Sequence, residues 1–128
     1  MIFRGKEHKR TFKSNLDYHS KCNENLSNDF LVVIYLLTAD NKLWFIVDKH
    51  VKPAGINFSN VSLKGINIDG YTLFRAAQDI YTGTTFLAVS DLANKKIVSP
   101  KIYDIIQTAL LIRRNGMRLI NKNESEEQ

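Results

Sequence analysis

The sequence predicts a mainly α protein, a single-domain bundle of about five helices carrying one long irregular insert. Three segments point there. In 99–116 (SPKIYDIIQTALLIRRNG), Ser99 can accept a hydrogen bond from an orphan helix N–H, and Pro100 suits the first helical position. Ile102, Ile105, Ile106, Ala109, Leu110 and Ile112 then recur at helical spacing as an apolar stripe. Arg113 and Arg114 complement the helix dipole in the last turn, and Gly116 can supply the left-handed stop. In 69–83, Asp69 reads as the cap, and Ile68 and Leu73 as the hydrophobic staple around it. Leu73, Phe74, Ala77, Ile80 and Tyr81 form its buried stripe, and Gly83 ends it. In 6–21, Phe12, Leu16 and His19 fall at i, i+4 and i+7 and share one face. The 99–116 helix, the most legible of the three, is expected to be the strut of the fold.

A chain of 128 residues predicts one domain with a core that needs no staples, with 1–118 globular and 119–128 a flexible polar tail. An apolar content of 44% removes the disordered class. The longest apolar run, 30–37, is less than half the roughly 18 residues of a membrane span. The opening MIFRGKEHKR has no apolar h-region, so it does not read as a signal peptide. The single cysteine, Cys22, allows neither an internal disulfide nor a cysteine-built zinc site. These features together lead us to expect a cytoplasmic protein without membrane partners.

Between the helices the signals are mixed. Residues 23–29 form an Asn- and Ser-rich linker in which Ser27, Asn28 or Asp29 could cap the next element. The runs 30–37 (FLVVIYLL) and 43–47 (LWFIV) flank a polar turn, and the first should be buried whatever its conformation. Local propensity reads them as a β-hairpin, which would make the fold α+β; helical logic reads two helices, the second capped by Asp40 or Asn41. Local signals do not separate these readings. Residues 52–69, with Pro53, Gly55 and Gly65 between alternating apolar positions, make the long insert. Residues 84–94 read as a further helix capped by Thr84 or Thr85, and 95–98 as a link.

Several of these pieces together resemble a family of small proteins from phages and mobile elements of Gram-positive bacteria. The features are the start MIFRGKEHKRTF with Glu7, His8 and Phe12, the run 30–40 followed by Leu43 and Trp44, the segment LFRAAQDIYTG, and the closing helix 101–114. The resemblance implies an all-helical domain, which tips 30–48 towards helices, and it implies no activity. The β-like alternation in 52–69 departs from that pattern.

No constellation of catalytic residues emerges. His8 and His19, eleven residues apart, have no HExxH motif or Cys/His cluster beside them and read as ordinary surface or edge histidines. There is no GxSxG elbow and no Walker-type glycine loop. The sequence therefore leans away from an enzyme and assigns no catalytic residue, metal ligand or cofactor.

Charge is the remaining signal. The net charge is +5, and residues 1–22 hold six cations against two acids. Lys6, Lys9, Arg10 and Lys13 line one flank of the first helix, with Arg113, Arg114 and Arg118 as a second basic group. These seven residues are the candidate interaction surface, which becomes one patch only if the first and last helices bring them together. The expected function is a non-enzymatic phage or mobile-element protein that binds and modulates a host or phage protein, inhibition of a host defence system being one form. The alternative is a nucleic-acid-binding accessory factor that uses the basic helix face, although no helix-turn-helix pattern or aromatic–basic interleaving accompanies it.

Overall fold

Helix wins over strand at the apolar run 30–37, and its caps say why. Ser27 Oγ accepts from the Phe30 amide at 3.1 Å, and Asp40 Oδ1 accepts from the Leu43 amide at 2.9 Å. The polar turn between the two runs thus ends one helix and starts the next. The computed structural model describes residues 1–22, 26–116 and 118 and, among them, is mainly α with no strand. Its helices are α1 (Lys6–Cys22), α2 (Asn28–Leu37), α3 (Asn41–Val47), α4 (Ile68–Thr82), α5 (Val89–Leu92) and α6 (Pro100–Asn115). The hairpin at 30–48, and with it the α+β alternative, is overturned. The expected tail, 119–128, lies outside the described residues.

The organising element is α2 rather than the last helix. Every side chain from Phe30 to Asp40 is buried, as suits a helix apolar all round. Fully burying each of its large apolar side chains contributes about 1.5–3 kcal/mol. α4 and α6 pack along it, and α1 lies over a third side. From α1 come Phe12 and Leu16, from α4 Leu73, Phe74 and Ala77, and from α6 Ile102, Ile105, Ile106, Ala109 and Ile112. The last helix is a wall of this core, and its stripe is narrower than expected. Leu110, placed in that stripe by its spacing, is 47% exposed on the outer face.

Contacts fix the helix directions. His8 at the start of α1 meets the Tyr35 carbonyl, and His19 near its end meets the Phe30 ring, so α1 runs antiparallel to α2. Asn28 Nδ2 donates to the Arg113 carbonyl at 3.0 Å, so α6 also runs antiparallel to α2. Both histidines are buried, which corrects the expectation of ordinary surface or edge histidines.

Two other boundaries differ from expectation. Asn67, not Asp69, caps α4, with Oδ1 accepting from the Gly70 amide at 2.7 Å. Asp69 is thereby freed for a tertiary partner, and Ile68 becomes the first helical residue, turned outward. Residues 84–94 form only the single turn α5, because the Asp79 carboxylate holds 84–87 as a loop. It accepts from Thr84 Oγ1 at 2.7 Å and from the Phe86 and Leu87 amides at 2.8 Å each. The insert holds a 3-10 turn at Phe58–Asn60 and an isolated bridge between Lys52 and Gly55. Phe58 is buried from it against Phe74 and Tyr81.

Candidate functional site

The seven basic residues named from sequence do not form one cluster. Lys6 and Arg10 are exposed on the first turns of α1, and Arg10 is paired with Glu7 one turn away. Lys9 and Lys13 are half-buried. Arg113 is paired with Asp29 at the start of α2, while Arg114 and Arg118 are exposed. His8 anchors the start of α1 at Tyr35, whereas Asn28 and Asp29 anchor the end of α6. Seven residues of α2 separate these anchors, about 10 Å at 1.5 Å per residue. The two basic groups are therefore held against opposite ends of α2. Exposed pairs such as Arg10–Glu7 contribute about 0–1 kcal/mol.

A polar junction lies at the carboxyl end of α2. Arg4 Nη1 donates to the Ala39 carbonyl at 3.1 Å and to Asp40 Oδ2 at 3.2 Å, and Nη2 donates to Asp69 Oδ2 at 3.1 Å. His8 Nδ1 accepts from the Arg4 amide at 2.9 Å while Nε2–H donates to the Tyr35 carbonyl at 2.7 Å, so the ring is neutral with its proton on Nε2. Burial pulls the His8 pKa from 6.5 down to about 4; the Tyr35 carbonyl opposes this, and the charges of Arg4 and Lys101 add to it. The Tyr35 hydroxyl, pushed well above its ordinary range by burial, donates to the Ile2 carbonyl. Arg4, Gly5, Glu7, His8, Thr38, Ala39 and Asn41 line a cleft of about 200 Å³ here. Its ionic and imidazole groups already have partners, and the bonds of Arg4 and His8 tie segment 1–5 across the ends of α2 and α4.

The outer face of α4 is different in kind. Ile68, Tyr71 and Arg75 fall at i, i+3 and i+7, opposite the buried Leu73, Phe74 and Ala77. Gly83, at φ +76°, reverses the chain in a conformation that L side chains disfavour, and Asp79 then draws the following loop back along the helix. The Phe86 ring consequently lies over the Arg75 guanidinium, 4.2 Å from ring centroid to Cζ, with Tyr71 at 5.1 Å and Phe74 at 5.6 Å. Tyr71 remains 43% exposed and Phe86 49%. Arg75 Nη1 donates to Gln78 Oε1 at 2.7 Å, while Nε is buried without a hydrogen-bond acceptor. Asp79 stands at the i+4 position of a helical ion pair with Arg75, yet both of its oxygens serve the loop. Among the described residues, then, Arg75 is a stacked cation without a carboxylate, on a helix face that also carries exposed Ile68 and Tyr71 and is overlaid by exposed Phe86. Separately, Phe45 is 84% exposed beside an open hollow of about 380 Å³ lined by Asn41, Lys42, Ile46, Gly65 and Ile66.

Charge counting missed this face because it carries one cation. The 68/71/75 spacing was visible in the sequence; the Asp79 bonds that bring Phe86 over Arg75 had no local signature. Among the described residues, no three His, Cys, Asp or Glu side chains converge as a metal site, and no helix is long and apolar enough to cross a membrane. Comparison with protein-family models, with curated proteins and with solved structures finds no match to this chain.

Proposed function

We propose that this chain works by binding another protein, with the outer face of α4 and the 84–89 loop as the docking surface. The observation that carries the reading is the Arg75 guanidinium stacked on Phe86 and Tyr71 at the surface. Arginine and aromatic side chains are the residue types that dominate binding energy at interfaces, and stacking holds this arginine in place before a partner arrives. Exposed Ile68 on the same face of α4 adds apolar area that water solvates poorly. The resemblance to small phage and mobile-element proteins supports a partner drawn from host or phage proteins, with inhibition of a host defence system as one form of the activity.

Capture from cell extract with the full chain, run beside a Tyr71→Glu, Phe86→Glu variant and a Lys9→Glu, Arg10→Glu, Lys13→Glu variant, tests the reading. A protein retained by the wild type and by the α1 variant, but lost by the α4 variant, is the expected result. Retention that depends on the α1 cations and falls steeply with salt in the presence of generic DNA supports the nucleic-acid alternative instead.

A further inference from the structure

We propose that Arg75 is the recognition residue of this face, and that the segment it takes from the partner carries an Asp or Glu side chain next to an aromatic or aliphatic one. The inference rests on the docking reading above and adds the chemistry of the partner. Three features of Arg75 lead to it. Among the described residues no carboxylate pairs with its cation: Asp79, the acid at helical pairing distance, is fully engaged by Thr84, Phe86 and Leu87. Its Nη1 is on Gln78 and its Nε is buried, which leaves Nη2, without a hydrogen bond among the described residues, to meet a carboxylate. And the rings of Tyr71, Phe74 and Phe86 fix the guanidinium plane, which reduces the rotamer freedom lost when a carboxylate binds.

The surroundings select a protein carboxylate. Tyr71, Phe86 and Ile68 present apolar surface to the residue beside the acid, and Thr84, Thr85 and Phe86 line a shallow hollow of about 310 Å³ alongside. A side chain seated there would screen the ion pair from water, the condition under which a charged contact becomes strong. A phosphate backbone would instead need a track of cations. The contacts of Arg75 are the rings of Tyr71, Phe74 and Phe86 and the Gln78 amide.

A library of short random peptides displayed and selected on the full chain tests the proposal, with the selected peptides titrated against 15N-labelled protein. Peptides carrying Asp or Glu beside a large apolar residue are expected, shifting the amides of Tyr71, Arg75 and Phe86. Replacing the peptide acid by its amide should weaken binding about tenfold or more, as should Arg75→Met, which keeps the stem packed on Phe86 and removes the charge. The two changes together should cost little more than either alone, because they remove the same contact. Circular dichroism checks that Arg75→Met folds; should it not, the acid-to-amide exchange in the peptide carries the test unaided. Peptides that shift these amides but bind equally as acid and amide would overturn the role of Arg75 and leave the docking face standing. Selection that yields no peptide shifting these amides would overturn the docking face itself, as would shifts at Arg75 produced only by a single-stranded oligonucleotide.

Discussion

His8 Nε2–H donates to the Tyr35 carbonyl at 2.7 Å, and that carbonyl lies in the last turn of α2. The Ala39 amide that would otherwise reach it is bonded to Leu36 instead, so the imidazole takes its place, closer than the Thr38 hydroxyl that also donates there at 3.3 Å. The bond needs a neutral ring, because Nδ1 is at the same time accepting from Arg4. Below pH 6.5 the unfolded chain takes up a proton on this residue, which the folded protein refuses until about pH 4. Stability should therefore fall as the pH drops through that window and level off beneath it. The total for this group is about 3 kcal/mol. His19, also lowered by burial, acts in the same direction. Urea unfolding at a series of pH values measures the slope, and His8→Gln should remove the larger part of it.

Asp40 has two duties, and its removal should cost more than that of Asp69. One oxygen caps α3 and the other takes Arg4, whereas Asp69 provides Arg4 with a half-exposed pair alone. Asp40→Ala is expected to lose about 1–3 kcal/mol from the cap and the broken bond together. Asp69→Ala should lose less than about 1 kcal/mol. Denaturant midpoints at constant m-value decide between them.

Gly116 ends α6 at φ +62° and ψ −145°, with its amide on the Ile112 carbonyl at 2.7 Å. A Cβ added there would run into the Asn28 amide group, which itself caps the Arg113 carbonyl. Gly116→Ala should thus destabilise by about 1–3 kcal/mol from backbone strain, with the clash added. The collision makes a second prediction. In the Gly116→Ala, Asn28→Ala double variant the two losses should sum to more than the measured value, since Asn28→Ala removes the obstructing group. Thermal unfolding of the three variants provides the comparison.

The helices that could be read from sequence were those whose signals are local. Ser99, Pro100 and Gly116 bracket α6 as expected, and Phe12, Leu16, Leu73, Phe74 and Ala77 are buried as their spacing implied. Residues 30–48 resisted local reading because a helix buried on every side has no amphipathic period to detect. Tertiary bonds account for the other departures. Asp69 looked like a cap until Arg4 gave it a partner, and 84–94 looked helical until Asp79 took the amides of Phe86 and Leu87. Leu110 continues a helical pattern, but α6 is covered on one side only. The site was legible in one respect, the spacing of Ile68, Tyr71 and Arg75. The basic residues that drew attention by number are distributed over two ends of α2, and Arg10 and Arg113 among them are paired with acids.

A partner that covers the outer face of α4 must shield the backbone there from solvent. Amide hydrogen exchange of the full chain, alone and bound to the captured protein, reads that shielding segment by segment. Slowed exchange within 68–75 and 84–89, with 6–13 unchanged, is the expected result. Slowed exchange confined to 6–13 and the end of α6, with α4 unaffected, would place the partner elsewhere and refute the docking face.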